Sequence, residues 1–359
     1  MKTILYFKIL SAIILVTFSC SNSVETSTGS IQGDWLIPSN KVVDGGPGRD
    51  GIPSIDHPKF ITVDQVDFLD DPDLIILVKQ NNIIHGYPHR ILDWHEIVND
   101  QINDTYFSVT YCPLTGTALV WNRKFDDQVT TFGVSGLLYN SNLIPYDRNT
   151  QSNWSQMKIL CVNGPLIGER PQQLPMIETT WATAKVLFPE MEVLSTDTGY
   201  DRNYFRYPYG NYKFTDQLLF DVEVNDNRLP KKERVFGVIG NIRTVIFRGT
   251  DFEGVIELIE INIDDQRVLV AGSNLHNFAM AFTIPEQDSL LTFTTTEKPM
   301  PALFKDNRNN TYNIFGEIIE GPEENNQLEF HSSYMGYWFA WPSFWNNIQF
   351  YSPAINYFD

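Results

Sequence analysis

WATAKVLFPEMEVLS, residues 181–195, and WFAWPSFWNNIQFYS, residues 338–352, decide how the rest of the chain is read. Both open on tryptophan, run through an aromatic-rich stretch of helical character and end on two apolar residues and a serine, 157 positions apart. The echo continues upstream, where Asn163-Gly164-Pro165 matches Glu320-Gly321-Pro322, Tyr146-Asp147-Arg148-Asn149 matches Lys305-Asp306-Asn307-Arg308, and Thr131-Phe132 matches Thr292-Phe293. Self-similarity at a long, slowly drifting offset is the signature of a duplicated unit with small loop insertions.

Working outward, each half opens on a hairpin. LIILVKQNNIIHGYP (74–88) and VFGVIGNIRTVIF (235–247) place Asn-Asn or Gly-Asn between apolar runs rich in β-branched residues, the pattern of two strands joined by a tight turn. Further strands follow, then the tryptophan-led helical stretch (Glu178 to Phe188, or Ser333 to Trp345) and a last strand. The expected fold is mainly β, a β-rich α+β class, with two tandem, diverged copies of an antiparallel unit, each ending in a short aromatic-rich helix. The expected divisions are a leader over 1–20, a tether and Gly/Pro-rich segment over 21–71, a first repeat over 72–198, a connector over 199–234 and a degenerate second repeat over 235–359. The connector carries Tyr200, Tyr204, Tyr207, Tyr209 and Tyr212, which read as staples between the halves.

Composition fits this reading. The chain has 359 residues, 42% hydrophobic and 13% aromatic, enough for sizeable cores and biased toward strands. Forty-four acidic residues stand against 26 basic ones, a formal charge of −18. Such a field repels phosphate backbones, so no nucleic-acid partner is expected.

The N-terminus reads as an export signal. Lys2 and Lys8 precede an apolar run from Ile9 to Phe18, too short to span a bilayer, and Cys20 closes it behind the small Ser19. This resembles the lipobox of bacterial lipoproteins, although Thr17 occupies the position where an aliphatic residue is usual. It implies acylation of Cys20, a lipid anchor in the outer membrane and an extracytoplasmic place in the cell envelope, facing the periplasm or the cell surface; the alternative is ordinary cleavage nearby. Past the tether, DGGPGRDGIPSIDHP (44–58) reads as a surface loop.

Comparing the halves locates a candidate site. At an offset of 161, Cys112 falls on Ser273, and GSNLHNFAMAF (272–282) keeps the apolar strand of VTYCPLTGTALVW (109–121) while losing the thiol, Pro113 and Gly116. His95, in RILDWHEIVND (90–100), has no counterpart in DFEGVIELIEIN (251–262). Together with FGVSGLLYNSNLIPYDR (132–148), NWSQ (153–156), Trp181, RLPKKER and YWFAWPSF, these stretches resemble an uncharacterised family of bacterial exported proteins, a domain of unknown function, over nearly all of the chain from about Asp44 onward. The resemblance brings no known activity. It implies His95, Tyr111, Cys112, Pro113, Leu114, Gly116, Gly133, Ser135, Gly136, Asn140, Ser141, Asp147 and Trp154 as the family's positions.

Three readings of Cys112 stay open: a small buried hydrophobe, a disulfide with Cys161, or a functional thiol. As a functional group it pairs with His95, with His85 or His89 in reserve, for thiol chemistry or as ligands of copper or another soft metal. Ser135, Asn140, Ser141, Asp147 and Trp154 would flank it as ligand-binding residues, or else satisfy turn backbone. The alternative is a non-catalytic envelope lipoprotein that binds a small molecule or glycan, or scaffolds a complex. His57, His276 and His331 have no second ligand at metal spacing, and GVSG is not a nucleophile elbow.

Overall fold

The computed structural model describes residues 33–125, 127–355 and 357; the leader, Cys20 and the start of the tether lie outside them. Apolar alternation dictates the first element. Leu74–Gln80 (β1) and Ile83–Pro88 (β2) form a hairpin whose turn residue Asn81 has a φ of 54°, a conformation that asparagine tolerates. His89–His95 (α1) leads into a meander of Ile97–Ile102 (β3), Thr105–Cys112 (β4) and Thr117–Asn122 (β5). Phe132–Tyr139 (β6), Asn142–Asp147 (β7), Asn153–Ser155 (β8) and Leu160–Asn163 (β9) make an antiparallel four-strand block. Met176–Thr180 (β10) then returns beside β1, Trp181–Leu187 (α2) starts on the Thr180 hydroxyl, which accepts from the Thr183 N–H, and Glu192–Leu194 (β11) runs parallel to β2.

The second half runs in the same order. Arg234–Ile239 (β12) and Thr244–Arg248 (β13) are its hairpin, followed by a meander of Glu257–Ile263 (β14), Gln266–Ser273 (β15) and Phe278–Ile284 (β16). Its block is Phe293–Thr295 (β17), Ala302–Asp306 (β18), Thr311–Asn313 (β19) and Ile318–Glu320 (β20). Ser333–Tyr337 (β21) pairs antiparallel with β12, Trp341–Phe344 (α3) follows, and Ile348–Phe350 (β22) runs parallel to β13. The two sheets β10-β1-β2-β11 and β21-β12-β13-β22 thus share both order and sense.

Local geometry repeats as well. Asp147 accepts the Thr150 N–H and the Trp154 indole N–H, and Asp306 accepts the Asn310 N–H and the Tyr312 hydroxyl. Gly116, with φ 60°, sits where Asn277 has φ 51°. A Cβ at Gly116 would lie 3.0 Å from the Tyr337 ring, so the first half needs glycine there for packing as well as conformation.

The halves do not pack as two separate lobes. On the meander β3–β5, Val98, Val109 and Val120 enter one core while Ile97, Cys112, Leu119 and Trp121 enter another, because successive strand residues face opposite ways. The first core also holds Ile75, Ile177 and Trp181 of the first half with Leu269, Phe282, Phe304 and Ile314 of the second. The second joins Phe132, Leu143 and Trp154 of the first half to Val235, Tyr334, Trp338 and Trp341 of the second. Each half's four-strand block therefore covers the other half's helix-bearing sheet. The backbone marks the crossing: the Tyr337 N–H donates to the Thr115 carbonyl at 2.7 Å, and the Thr179 hydroxyl donates to the His276 carbonyl at 2.6 Å. A third core, with Val238, Phe247, Ile261 and Val270, belongs to the second half alone.

The Gly/Pro-rich segment is an ordered wrap. Val42–Asp44 pairs with the edge of β6, Arg148 holds Asp50 at 2.9 Å and Asp56 at 3.4 Å, and the Tyr146 hydroxyl donates to Asp50 at 2.5 Å. Among the described residues no helix is long and apolar enough to cross a membrane.

Each fully buried large apolar side chain contributes about 1.5–3 kcal/mol. Losing those that the other half supplies therefore exceeds the roughly 5–15 kcal/mol by which a domain is stable. Residues 33–233 or 234–359 expressed alone should give no cooperative thermal transition by circular dichroism, and mixing the two should restore one. A cooperative melt in either fragment alone would contradict the shared cores.

Candidate functional site

Cys112 ends β4 with its side chain in the second core, 1% exposed, and its thiol 3.6 Å from the Ser141 carbonyl oxygen. Burial, and secondly the Glu96 carboxyl, push that thiol up to about 11. Cys161 is also buried and free, so the two form no disulfide. His95, at the end of α1, is 0% exposed. Its Nδ1 lies 2.8 Å from the Pro53 carbonyl and its Nε2 lies 2.7 Å from the Tyr204 hydroxyl. A carbonyl only accepts, so Nδ1 carries the proton and Nε2 accepts from Tyr204. Burial drives this imidazole down to about 4. Both nitrogens are thus engaged away from the sulfur; His95 pins the wrap and the connector, and the acid beside Cys112 is Glu96.

The polar motif residues serve the scaffold. Ser135 donates to the Ile144 carbonyl and accepts the Leu137 N–H, and Ser141 donates to the Phe220 carbonyl at 2.7 Å. Asn140 donates to Glu223 and to the Ser343 carbonyl while accepting the Glu223 N–H. Asp147 and Trp154 hold each other and their turn. In the middle of the second core Asn142 donates to Gln156 at 2.8 Å and to Thr115 at 2.9 Å, Thr117 donates to Gln156 at 2.7 Å, and Gln156 donates to Thr110 at 3.0 Å. Buried amides and hydroxyls answered this fully rigidify a core. Of the reserve histidines, His85 joins the Tyr87 hydroxyl on Asp100, with Nδ1 at 2.7 Å. Among the described residues no group of three His, Cys, Asp or Glu side chains is arranged to hold a metal.

Four of the ten buried side-chain atoms without a hydrogen-bond partner among the described residues lie at the seam between the halves. His89 and Asp93 on α1, Tyr111 on β4, Glu178 on β10, Arg234 on β12 and Tyr337 on β21 meet there, joined by Lys213 of the connector. Arg234 is paired with Glu178, His89 Nε2 lies 3.6 Å from the same carboxylate, and Lys213 holds Asp93 at 3.0 Å. The His89 and Tyr111 rings are 4.3 Å apart. Among the described residues, His89 Nε2, Asp93 Oδ1, Glu178 Oε2 and Arg234 Nε are buried without a hydrogen-bond partner. Native proteins rarely leave such groups unanswered. Burial holds the His89 imidazole well below its usual range and, against the pull of Lys213, raises Asp93 to about 6. Burial also keeps the Tyr111 hydroxyl protonated far above its usual range.

Tyr207, Tyr209 and Tyr212 close the seam from the connector side. The Tyr212 hydroxyl donates to the Leu114 carbonyl at 2.9 Å and the Tyr209 hydroxyl donates to Glu96 at 3.3 Å. The sequence held one signal for this cluster, a glutamate inside the apolar strand MIETT and an arginine opening the apolar strand RVFGVI. What it lacked was the crossing of two sheets that sets these two side chains, 56 positions apart, against each other.

Burial raises Glu96 from 4.5 to about 7. Between those values the folded protein keeps a proton that the unfolded chain has released, so this group's effect on stability worsens as pH rises and is complete above about 7. Glu96→Gln should therefore unfold at higher urea than the parent at pH 8, by about 1–3 kcal/mol, with no difference at pH 4; a pH-independent difference would refute the burial effect. Cys112 should resist iodoacetamide at pH 8 in the folded protein and react once urea unfolds it, as read by intact mass; rapid labelling of the native protein would show an accessible thiolate.

No curated protein and no solved structure matches the chain. One family does match, described as a protein of unknown function, DUF3179, and its match covers residues 49–348. That span takes in both halves, the connector and every seam residue, and on it the chain belongs to the DUF3179 family.

Proposed function

We propose that this chain is an exported lipoprotein, anchored through an acylated Cys20 in the cell envelope, whose β shell binds a small molecule at the seam and performs no turnover there. The leader supports the first part: Lys2 and Lys8, the apolar run to Phe18, and Cys20 behind Ser19. One observation carries the second: four buried polar atoms on His89, Asp93, Glu178 and Arg234 await partners in one place. Two of these, on Arg234 and His89, are nitrogens suited to donate, and two, on Glu178 and Asp93, are carboxylate oxygens that accept. A small zwitterion, with an anionic and a cationic end, answers both pairs without leaving a buried charge alone.

Binding is favoured over catalysis because the nearby nucleophiles are held in their inert forms. Burial pushes Cys112 up to about 11 and raises the Tyr111 hydroxyl well above its usual range, whereas an activated nucleophile needs the opposite shift. Thiol chemistry or copper at Cys112 and His95 would require both side chains to leave their present partners.

Two measurements test the proposal. Cys20→Ala should stop incorporation of an alkyne-palmitate and move the protein from the membrane fraction to the soluble one; parent protein that is never labelled would refute the anchor. In thermal-shift assays with the twenty amino acids at about 10 mM, at least one should raise the Tm of the parent and not of Arg234→Met. A panel without shifts, or equal shifts in both proteins, would refute the seam as a site for zwitterions.

A further inference from the structure

A second feature stands apart from the seam and depends on neither the anchor nor the zwitterion. On the outer surface a cleft of about 1060 Å³ opens between the turn of the β1/β2 hairpin, the segment 172–175 ahead of β10, and residues 315–330 around β20. Its walls come from both halves, since the crossing of the sheets brings the first hairpin against the second half's block. Its size reaches the upper end of small-molecule sites, roughly 300–1,000 Å³.

The lining is chemically distinctive. Gln80, Asn81, Asn82, Asn325, Asn326 and Gln327 lie on two separate segments around this cleft. Among the described residues none of their side-chain amides makes a hydrogen bond. Among the described residues, Lys79 is the only lysine or arginine in the wall and is committed to Glu317, while the exposed Glu324 and Glu329 join no ion pair. Apolar surface runs between these polar groups, from half-buried Leu174 and Phe330 to Ile319, which is 41% exposed.

The geometry points to a binding cleft for a neutral oligosaccharide. Each amide offers a donor and an acceptor in one plane, and each sugar hydroxyl is likewise both donor and acceptor, so paired amides match neighbouring hydroxyls. The faces of pyranose rings carry C–H groups that lie against apolar side chains such as Phe330 and Leu174. Unpaired Glu324 and Glu329, with Lys79 already neutralised, repel phosphate, sulfate and uronate groups, which excludes acidic glycans and nucleotides. A peptide strand would seek the open backbone of a sheet edge; β20 is such an edge, but its Ile318 N–H and carbonyl are already taken by Asn326 and Asn325. Its volume accommodates several sugar units.

The test is isothermal titration of the full chain with maltohexaose, cellohexaose, xylohexaose, mannohexaose and chitohexaose, with a heparin hexasaccharide as the anionic control. At least one neutral hexasaccharide should bind with a Kd on the order of 10–1,000 µM, more tightly than its monosaccharide, and heparin should not bind. Asn326→Ala/Gln327→Ala removes two exposed side chains and should leave the Tm unchanged while weakening binding at least tenfold. Gln80→Ala, on the facing wall, should weaken it in the same direction. The proposal falls if no neutral hexasaccharide binds at millimolar concentration, if heparin binds better, or if the double variant keeps the parent's affinity.

Discussion

The meander β3–β5 has no face left for water, and that constraint organises everything around it. A sheet buried on one side needs one covering layer, but this one needs two. The chain supplies them from opposite directions: one side meets the hairpin and helices of its own half, the other meets β12, β21 and the tryptophans of the distant half. Once Tyr337 is docked on the Thr115 carbonyl, the position of β21 fixes β12, and β12 brings Arg234 onto Glu178. The charged seam follows from the way the sheets cross.

An ion pair in that setting is retained against a desolvation penalty of several kcal/mol per charge. In the corresponding positions of the other sheet the chain uses Met335 where the first half has Glu178, and Leu74 where the second has Arg234. A fully apolar seam was therefore available to this fold, and the polar one needs a reason beyond packing. The binding proposed above supplies one, because a ligand that answers the orphaned atoms offsets the penalty whenever it is present.

Much of the architecture was legible in local pattern. Hairpins announce themselves through alternation and a turn asparagine, and the aromatic helices through their tryptophans, since both signals depend on residues close in sequence. The site was less legible for the same reason. His95 and Cys112 are near neighbours along the chain, yet His95 points to Pro53 and Tyr204 while Cys112 enters the opposite core. Their absence from the second half reflects different local jobs: one fastens the wrap, the other fills a strand end. The dense Ser/Asn/Thr motifs could be read as ligand-binding or as satisfying their own backbone, and they answer backbone and neighbouring side chains, because a sheet buried on both sides must satisfy its own polar groups. Glu178 belonged to no motif and Arg234 only closed RLPKKER; the crossing of two separate sheets brings them together.

The interlocked cores also set a timetable. On a ribosome the chain emerges from its N-terminus, yet one core waits for residues up to Leu328 and the other for Phe344. For nearly the whole of synthesis the β strands of the first half are made without the surfaces that will cover them, a nascent state with long-range pairings still unpaid and sticky edges exposed. Such a polypeptide calls for a holding chaperone until its last strands arrive, and a ribosome that stalls before β21 releases a product with nowhere to hide its tryptophans.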